Sequence, residues 1–118
     1  MRGAVAGLIF VVMTATALAQ DAALAVAVGG GTGNACPQQG KATGDIEVRV
    51  GPGEKYEVYD RLENGETVFL CETAKGWIGI VYGKADCGVS KPITPRQGYI
   101  GACNTGWVSS RSLTATAG

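Results

Sequence analysis

The sequence predicts an all-β domain, a small barrel or sandwich. Three observations carry that reading. Ile46, Val48 and Val50 alternate with Glu47 and Arg49, the period of a half-buried strand. Short runs rich in β-branched and aromatic residues recur at close spacing, separated by Gly, Pro and Asn turn signals. No amphipathic helix of useful length occurs between residue 35 and the end.

The elements follow in order. A first strand covers 46–50 and is broken by Gly51-Pro52-Gly53. The alternation resumes weakly over 56–60. Asn64-Gly65 is a hairpin signal leading into Thr67-Val68-Phe69-Leu70-Cys71. Ala74-Lys75-Gly76 is another turn. Trp77-Ile78-Gly79-Ile80-Val81-Tyr82 is a strand that is apolar almost throughout. A long link, 83–105, carries Pro92, Pro95, Cys87 and Cys103, with a short strand expected at 99–102. Gly106 to Ser109 forms the last strand, and Ser110 to Leu113 a closing turn.

The start of the chain addresses it outward. Arg2 is the only charge before Asp21, Gly3 to Ala19 is a short apolar stretch, and Ala17-Leu18-Ala19 supplies an A-x-A pattern. These features make a secretory signal peptide over 1–19. A spanning helix wants about 20 apolar residues. Ala23-Leu24-Ala25 and Ala25-Val26-Ala27 also fit the cleavage pattern. Residues 20–35 lead into Gly29-Gly30-Gly31 and Gly33 and read as a flexible leader. The alternative is that their apolar half adds an edge strand. The domain itself is expected over 36–118.

Cleavage would leave roughly 98 residues, one small domain that needs staples. Cys36, Cys71, Cys87 and Cys103 all lie in that part, and export places them in an oxidising compartment, periplasmic or secreted. Two disulfides are expected, with three connectivities open. A zinc site is disfavoured, because no C-x-x-C pair and no histidine are present. Removing Arg2 leaves nine basic against ten acidic residues, and neither sign is clustered. Nucleic acid and anionic membranes, which need clustered Lys and Arg, are therefore not expected partners.

Gly51-Pro52-Gly53-Glu54-Lys55-Tyr56 superficially suggests a phosphate loop. It lacks the G-K-[ST] ending of a Walker loop. Tyr56 replaces the third glycine of a dinucleotide loop, and no helix follows. A turn fits better, with Pro52 at its first corner and Gly53 at the positive φ of a type II turn.

Val48-Arg49-Val50-Gly51-Pro52-Gly53, then Tyr56, Val58, Leu62, Gly65, Val68, Gly76-Trp77 and Gly106-Trp107-Val108-Ser109, resemble the bacterial SH3-like (Src-homology-3-like) domain. That family typically reads N-V-R-S-G-P-G, a Tyr- and Val-bearing spacer, L-x-x-G-x-x-V, G-W and G-W-V-S. The match spans residues 46 to 113. Glu47 stands where the family usually has Asn, and the 83–105 link is much longer than in a minimal member. The resemblance implies a small, strongly bent SH3-like β-barrel and a non-catalytic module of exported proteins, associated with peptidoglycan or short peptides. It also implies that Cys87–Cys103 ties down the insertion and that Cys36–Cys71 tethers the leader.

Catalysis has few ingredients. Without histidine, Cys-His and Ser-His-Asp nucleophiles are excluded. Glu54, Glu57, Asp60, Glu63 and Glu66 read as solvated residues rather than a glycosidase pair. No cofactor or metal is expected. Tyr56, Tyr59, Trp77, Tyr82 and Tyr99 are candidates to line a shallow groove for peptides or sugars, with Trp107 either beside them or in the core. Tyr56 is expected to be exposed. Arg49 either binds a ligand carboxylate or pairs with a neighbouring Glu. The expected function is an exported binding module for peptidoglycan or short peptides. The alternative is a disulfide-stabilised structural or inhibitor-like protein that acts through a protein partner.

Overall fold

The computed structural model describes residues 24–116. The signal peptide expected over 1–19 lies outside them. The described chain is all-β. Strands β1 (Ala27–Val28) and β7 (Gln97–Gly98) form a two-stranded sheet. The main sheet has the order β4 (Val58–Leu62), β3 (Ile46–Arg49), β8 (Asn104–Ser109), β6 (Trp77–Tyr82), β5 (Thr67–Ala74), β2 (Gln38–Ala42), β9 (Leu113–Thr116). A 3-10 turn, Ser110–Ser112, joins β8 to β9.

Chain connectivity forces this sheet to curl. β2 and β3 are four strand spacings apart, about 19 Å in a flat sheet. Only residues 43–45 join them, so Ala42 and Ile46 are four residues apart in sequence and at most about 14 Å apart in space. The same holds for β8 and β9, joined by the 3-10 turn. The sheet therefore bends strongly, but its edges β4 and β9 share no ladder, so the expected barrel is not closed.

Its inner face buries Ala42, Ile46, Val48, Leu62, Val68, Ile80, Tyr82 and Val108, with Leu70, Ile78 and Leu113 packed against them. All seven strands contribute. The outer face carries a second core: Val28, Ala35, Cys36, Val81, Cys87 and Val89, flanked by Phe69, Cys71, Ile93, Tyr99 and Cys103. A strand covered on both faces needs apolar residues at successive positions. That requirement explains the unbroken apolar run of β6.

The flexible leader expected over 20–35 is corrected at residues 24–35, its first four residues lying outside the described ones. Val26 and Val28 are each 1% exposed, and β1 pairs with β7. The Ala35 and Cys36 N–H groups donate to Lys91 O and Val89 O. Leader and insertion thus bind each other and together cover the outer face. Cys36–Cys71 and Cys87–Cys103 are the two disulfides, as the resemblance implies. A β-bulge lies at Cys71, where the β5–β6 register jumps from Leu70↔Ile80 to Glu72↔Gly79. It lets both Cys71 and Glu72 serve the outer layer, Glu72 by accepting the Ala27 N–H at 2.8 Å.

Three local expectations are also corrected. The Asn64-Gly65 turn forms, with Gly65 at φ 87° and Glu66 N–H donating to Glu63 O, but it joins no hairpin. β4 pairs with β3 and β5 pairs with β2, so the strands diverge from the turn. Its bonds run instead to the β2–β3 link: Gly65 N–H to Ala42 O, and Gly44 N–H to Asn64 Oδ1. The strand expected over 99–102 falls at Gln97–Gly98, because the Tyr99 side chain is committed to the disulfide loop. Gly53 does not take positive φ.

Candidate functional site

The Gly-Pro-Gly segment is a turn built around a ring. Gly53 N–H donates to Gly51 O at 3.0 Å, a three-residue turn centred on Pro52, whose fixed φ suits it. A Cβ on Gly51 would lie 2.6 Å from the Tyr56 ring. Glycine is needed there for close approach. Tyr56 is therefore half-buried against its own loop rather than exposed, and Lys55 Nζ sits 5.4 Å from its ring centroid.

Arg49 holds this loop from beneath. Its Nη1 donates to Glu54 O at 3.0 Å and to Tyr56 O at 2.8 Å, and its Nη2 to Glu47 Oε1 at 2.8 Å. Three acceptors occupy the guanidinium, so pairing with a neighbouring Glu is the outcome at Arg49. Glu47 also meets Arg61 at 3.3 Å. Arg49 shares a cleft of about 120 Å³ with Trp77, Glu47, Glu54, Ser109 and Ser112.

A second site lies on edge strand β4. Val48 pairs with Asp60 and Arg49 with Val58, so Tyr59 is the extra residue of a β-bulge. Tyr59 is 48% exposed and its ring lies over Gly106, where a Cβ would come 3.1 Å from Tyr59 Cε1 and collide with Val48. Beneath it the Tyr82 hydroxyl donates to Asp60 Oδ2 at 2.7 Å and lies 3.4 Å from the Tyr59 hydroxyl. Tyr82 itself is only 3% exposed. Burial raises its pKa far above the usual phenol range, and the bonds to Tyr59 and Asp60 raise it further. It therefore stays a neutral donor that positions the bulge. Val58, Tyr59, Asp60 and Arg61 line an open, shallow groove. Among the described residues, the outer edge of β4 pairs with no strand.

The six candidates thus divide among three places. Tyr59 and Tyr82 come together, Arg49 both binds the Tyr56 carbonyl and shares the cleft with Trp77, and Tyr99 lies in the insertion. Tyr99 is structural: its hydroxyl donates to Cys87 O at 2.7 Å and accepts from Cys103 N–H at 3.1 Å. Trp107 is buried, and its indole N–H donates to Leu24 O. Sequence reasoning passed over Asp60, Arg61 and Gly106 as site components. An isolated glycine inside a strand, such as Gly106, was the available signal of close approach.

Among the described residues, no three potential metal ligands converge, and no helix is long and apolar enough to cross a membrane. The two disulfides suggest an oxidising, extracytoplasmic compartment. Comparison with protein-family models, curated proteins and solved structures finds no match for this chain.

Proposed function

We propose that this protein is an exported, non-catalytic binding module of the SH3-like kind, acting in the periplasm or outside the cell on peptidoglycan or short peptides. The observation that carries the reading is Tyr59: an exposed ring on a bulged, open edge strand, held by Tyr82 and flanked by Asp60 and Arg61. An open edge offers backbone bonds to an extended chain. The ring offers contact area at low entropic cost. The Arg61 side chain, 64% exposed, offers a positive charge to a ligand carboxylate. The strongly bent sheet also fits what the family resemblance implies.

Co-sedimentation with isolated peptidoglycan tests this reading. Saturable binding by the oxidised protein is expected, with at least about a tenfold loss in Tyr59→Ala (about 1.4 kcal/mol). Absence of binding, or equal binding by the variant, would contradict it.

One observation favours a second reading, a protein partner. Ile100 is 86% exposed. It sits between Tyr99, whose ring and hydroxyl are fixed, and Cys103, which is cross-linked. A preorganised apolar tip loses little entropy on entering a partner's pocket. This reading expects binding to an envelope protein that Ile100→Ser abolishes and Tyr59→Ala leaves intact.

A further inference from the structure

We propose that a notch beside the free half of β5, where β2 ends, takes an extended segment of a partner protein in which an apolar residue stands between a cation and an acid. The notch uses none of the residues of the β4 edge or the Ile100 tip.

β2 covers only part of β5. Their ladder runs from Lys41↔Thr67 to Gln38↔Leu70 and ends there. Pro37 has no N–H to continue it, and Cys36 turns into the outer layer, cross-linked to Cys71. β5 runs on to Ala74, paired with β6 alone. Its other edge, from Glu72 to Ala74, therefore has no strand beside it among the described residues. An unpaired edge with room beside it is a template for another chain. The room is an open notch of about 380 Å³.

The two faces of the notch differ. Leu70 pairs with Ile80 and Thr73 with Ile78, and Leu70 and Ile78 pack toward the inner core. The bulge at Cys71 leaves Glu72 opposite Gly79, on the outer side. Arg96 reaches the same side from the insertion, and the leader holds both charges. Glu72 Oε1 accepts the Ala27 N–H at 2.8 Å, and Arg96 Nη1 donates to Gly29 O at 3.2 Å. The Arg96 stem is also packed closely, since a Cβ on Gly30 would come 2.9 Å from Arg96 Cβ. Neither charge has an ion-pair partner among the described residues. Charged groups already held in place lose little entropy on meeting a ligand.

A strand laid along Glu72 to Ala74 sends alternate side chains to opposite faces. The side chain that faces inward meets Leu70 and Ile78, so an apolar one belongs there. Its two neighbours in sequence both face outward, two residues apart, as the Ala27 and Gly29 anchors of Glu72 and Arg96 are along the leader. A Lys on one of them meets Glu72, and a Glu on the other meets Arg96. Lys-Leu-Glu, or its reverse for the opposite strand direction, is the simplest motif with these properties.

The test titrates the isotopically labelled, oxidised protein with two capped peptides, acetyl-Thr-Lys-Leu-Glu-Thr-amide and acetyl-Thr-Glu-Leu-Lys-Thr-amide. Together they cover both strand directions. Saturable amide shifts at Leu70 to Ala74 and at Arg96 are expected with one of them. Replacing the peptide's Leu by Ser should abolish these shifts. Arg96→Gln in the protein should weaken binding about threefold, within what an exposed ion pair supplies. Absence of saturable shifts with both peptides, unchanged binding of the Ser peptide, equal affinity in Arg96→Gln, or shifts at Val58 to Arg61 instead would each overturn the proposal. Movement of the Leu70 to Ala74 amides on dilution of the free protein would give the notch to a second copy of this chain, and would overturn it as well.

Discussion

Ile80 and Val81 are chain neighbours, both fully buried, yet they belong to different cores. The inner core around Ile80 is made by one sheet folding on itself. The outer core around Val81 is covered by the leader and the insertion, brought from opposite sides of β6 in sequence. The inner core depends on strand alternation and short links. The outer one depends on two cross-links and a few single polar bonds. Regular periodicity can therefore build one face of a small sheet, while the other needs covalent and side-chain fastenings.

The largest effects are expected at those fastenings. Replacing Cys36 and Cys71 by Ala should cost about 4 kcal/mol, and replacing Cys87 and Cys103 about 3 kcal/mol, from the loop lengths they close. Urea denaturation of the paired variants measures this. The comparison sharpens at β6. Ile80→Ala should cost about 3 kcal/mol whether or not the disulfides are present. The cost of Val81→Ala should shrink once they are removed, because the cover it packs against is then loosened. Equal coupling to both residues would show that the two layers are one cooperative core.

Much of the inner layer was legible. Val48, Val68, Ile80 and Val108 lie in strands whose alternation or β-rich composition marks them. β2 was not legible, because Gln38-Gln39-Gly40-Lys41-Ala42 has no apolar period. It is a strand because Gly40 lets β5 and β9 close in: a Cβ there would lie 2.9 Å from Leu70 Cδ1 and 3.2 Å from Thr114 O. Asn64-Gly65 announced a turn but could not announce which strands would pair beyond it. The leader misled because Ala, Val and Gly look featureless until the sheet beneath them is known. At the candidate site the aromatic residues were visible. The bulge at Tyr59 was not, since register depends on the fit of Tyr59 over Gly106, a residue far along the chain.

Two smaller effects probe single polar bonds, one in each layer. Tyr99→Phe removes the hydroxyl that serves both Cys87 O and Cys103 N–H, and should cost about 2 kcal/mol. Faster amide exchange at Cys103 would accompany it. Tyr82→Phe should cost about 1 kcal/mol near neutral pH. Its signature is alkaline. The folded state raises the Tyr82 pKa, so its contribution is fully present below about pH 10, where an unfolded tyrosine begins to ionise, and is lost as pH rises further. Denaturation at about pH 9 and about pH 11 should show a shallower alkaline fall in the Phe variant than in the wild type.

The most direct test of the account follows backbone amide shifts of the isotopically labelled, oxidised protein during titration with soluble peptidoglycan fragments. Saturable shifts centred on Val58 to Arg61 and Tyr82 are the expected result. Shifts confined to residues 97–102, or none in a folded sample, would contradict the assignment of the binding surface to the β4 edge.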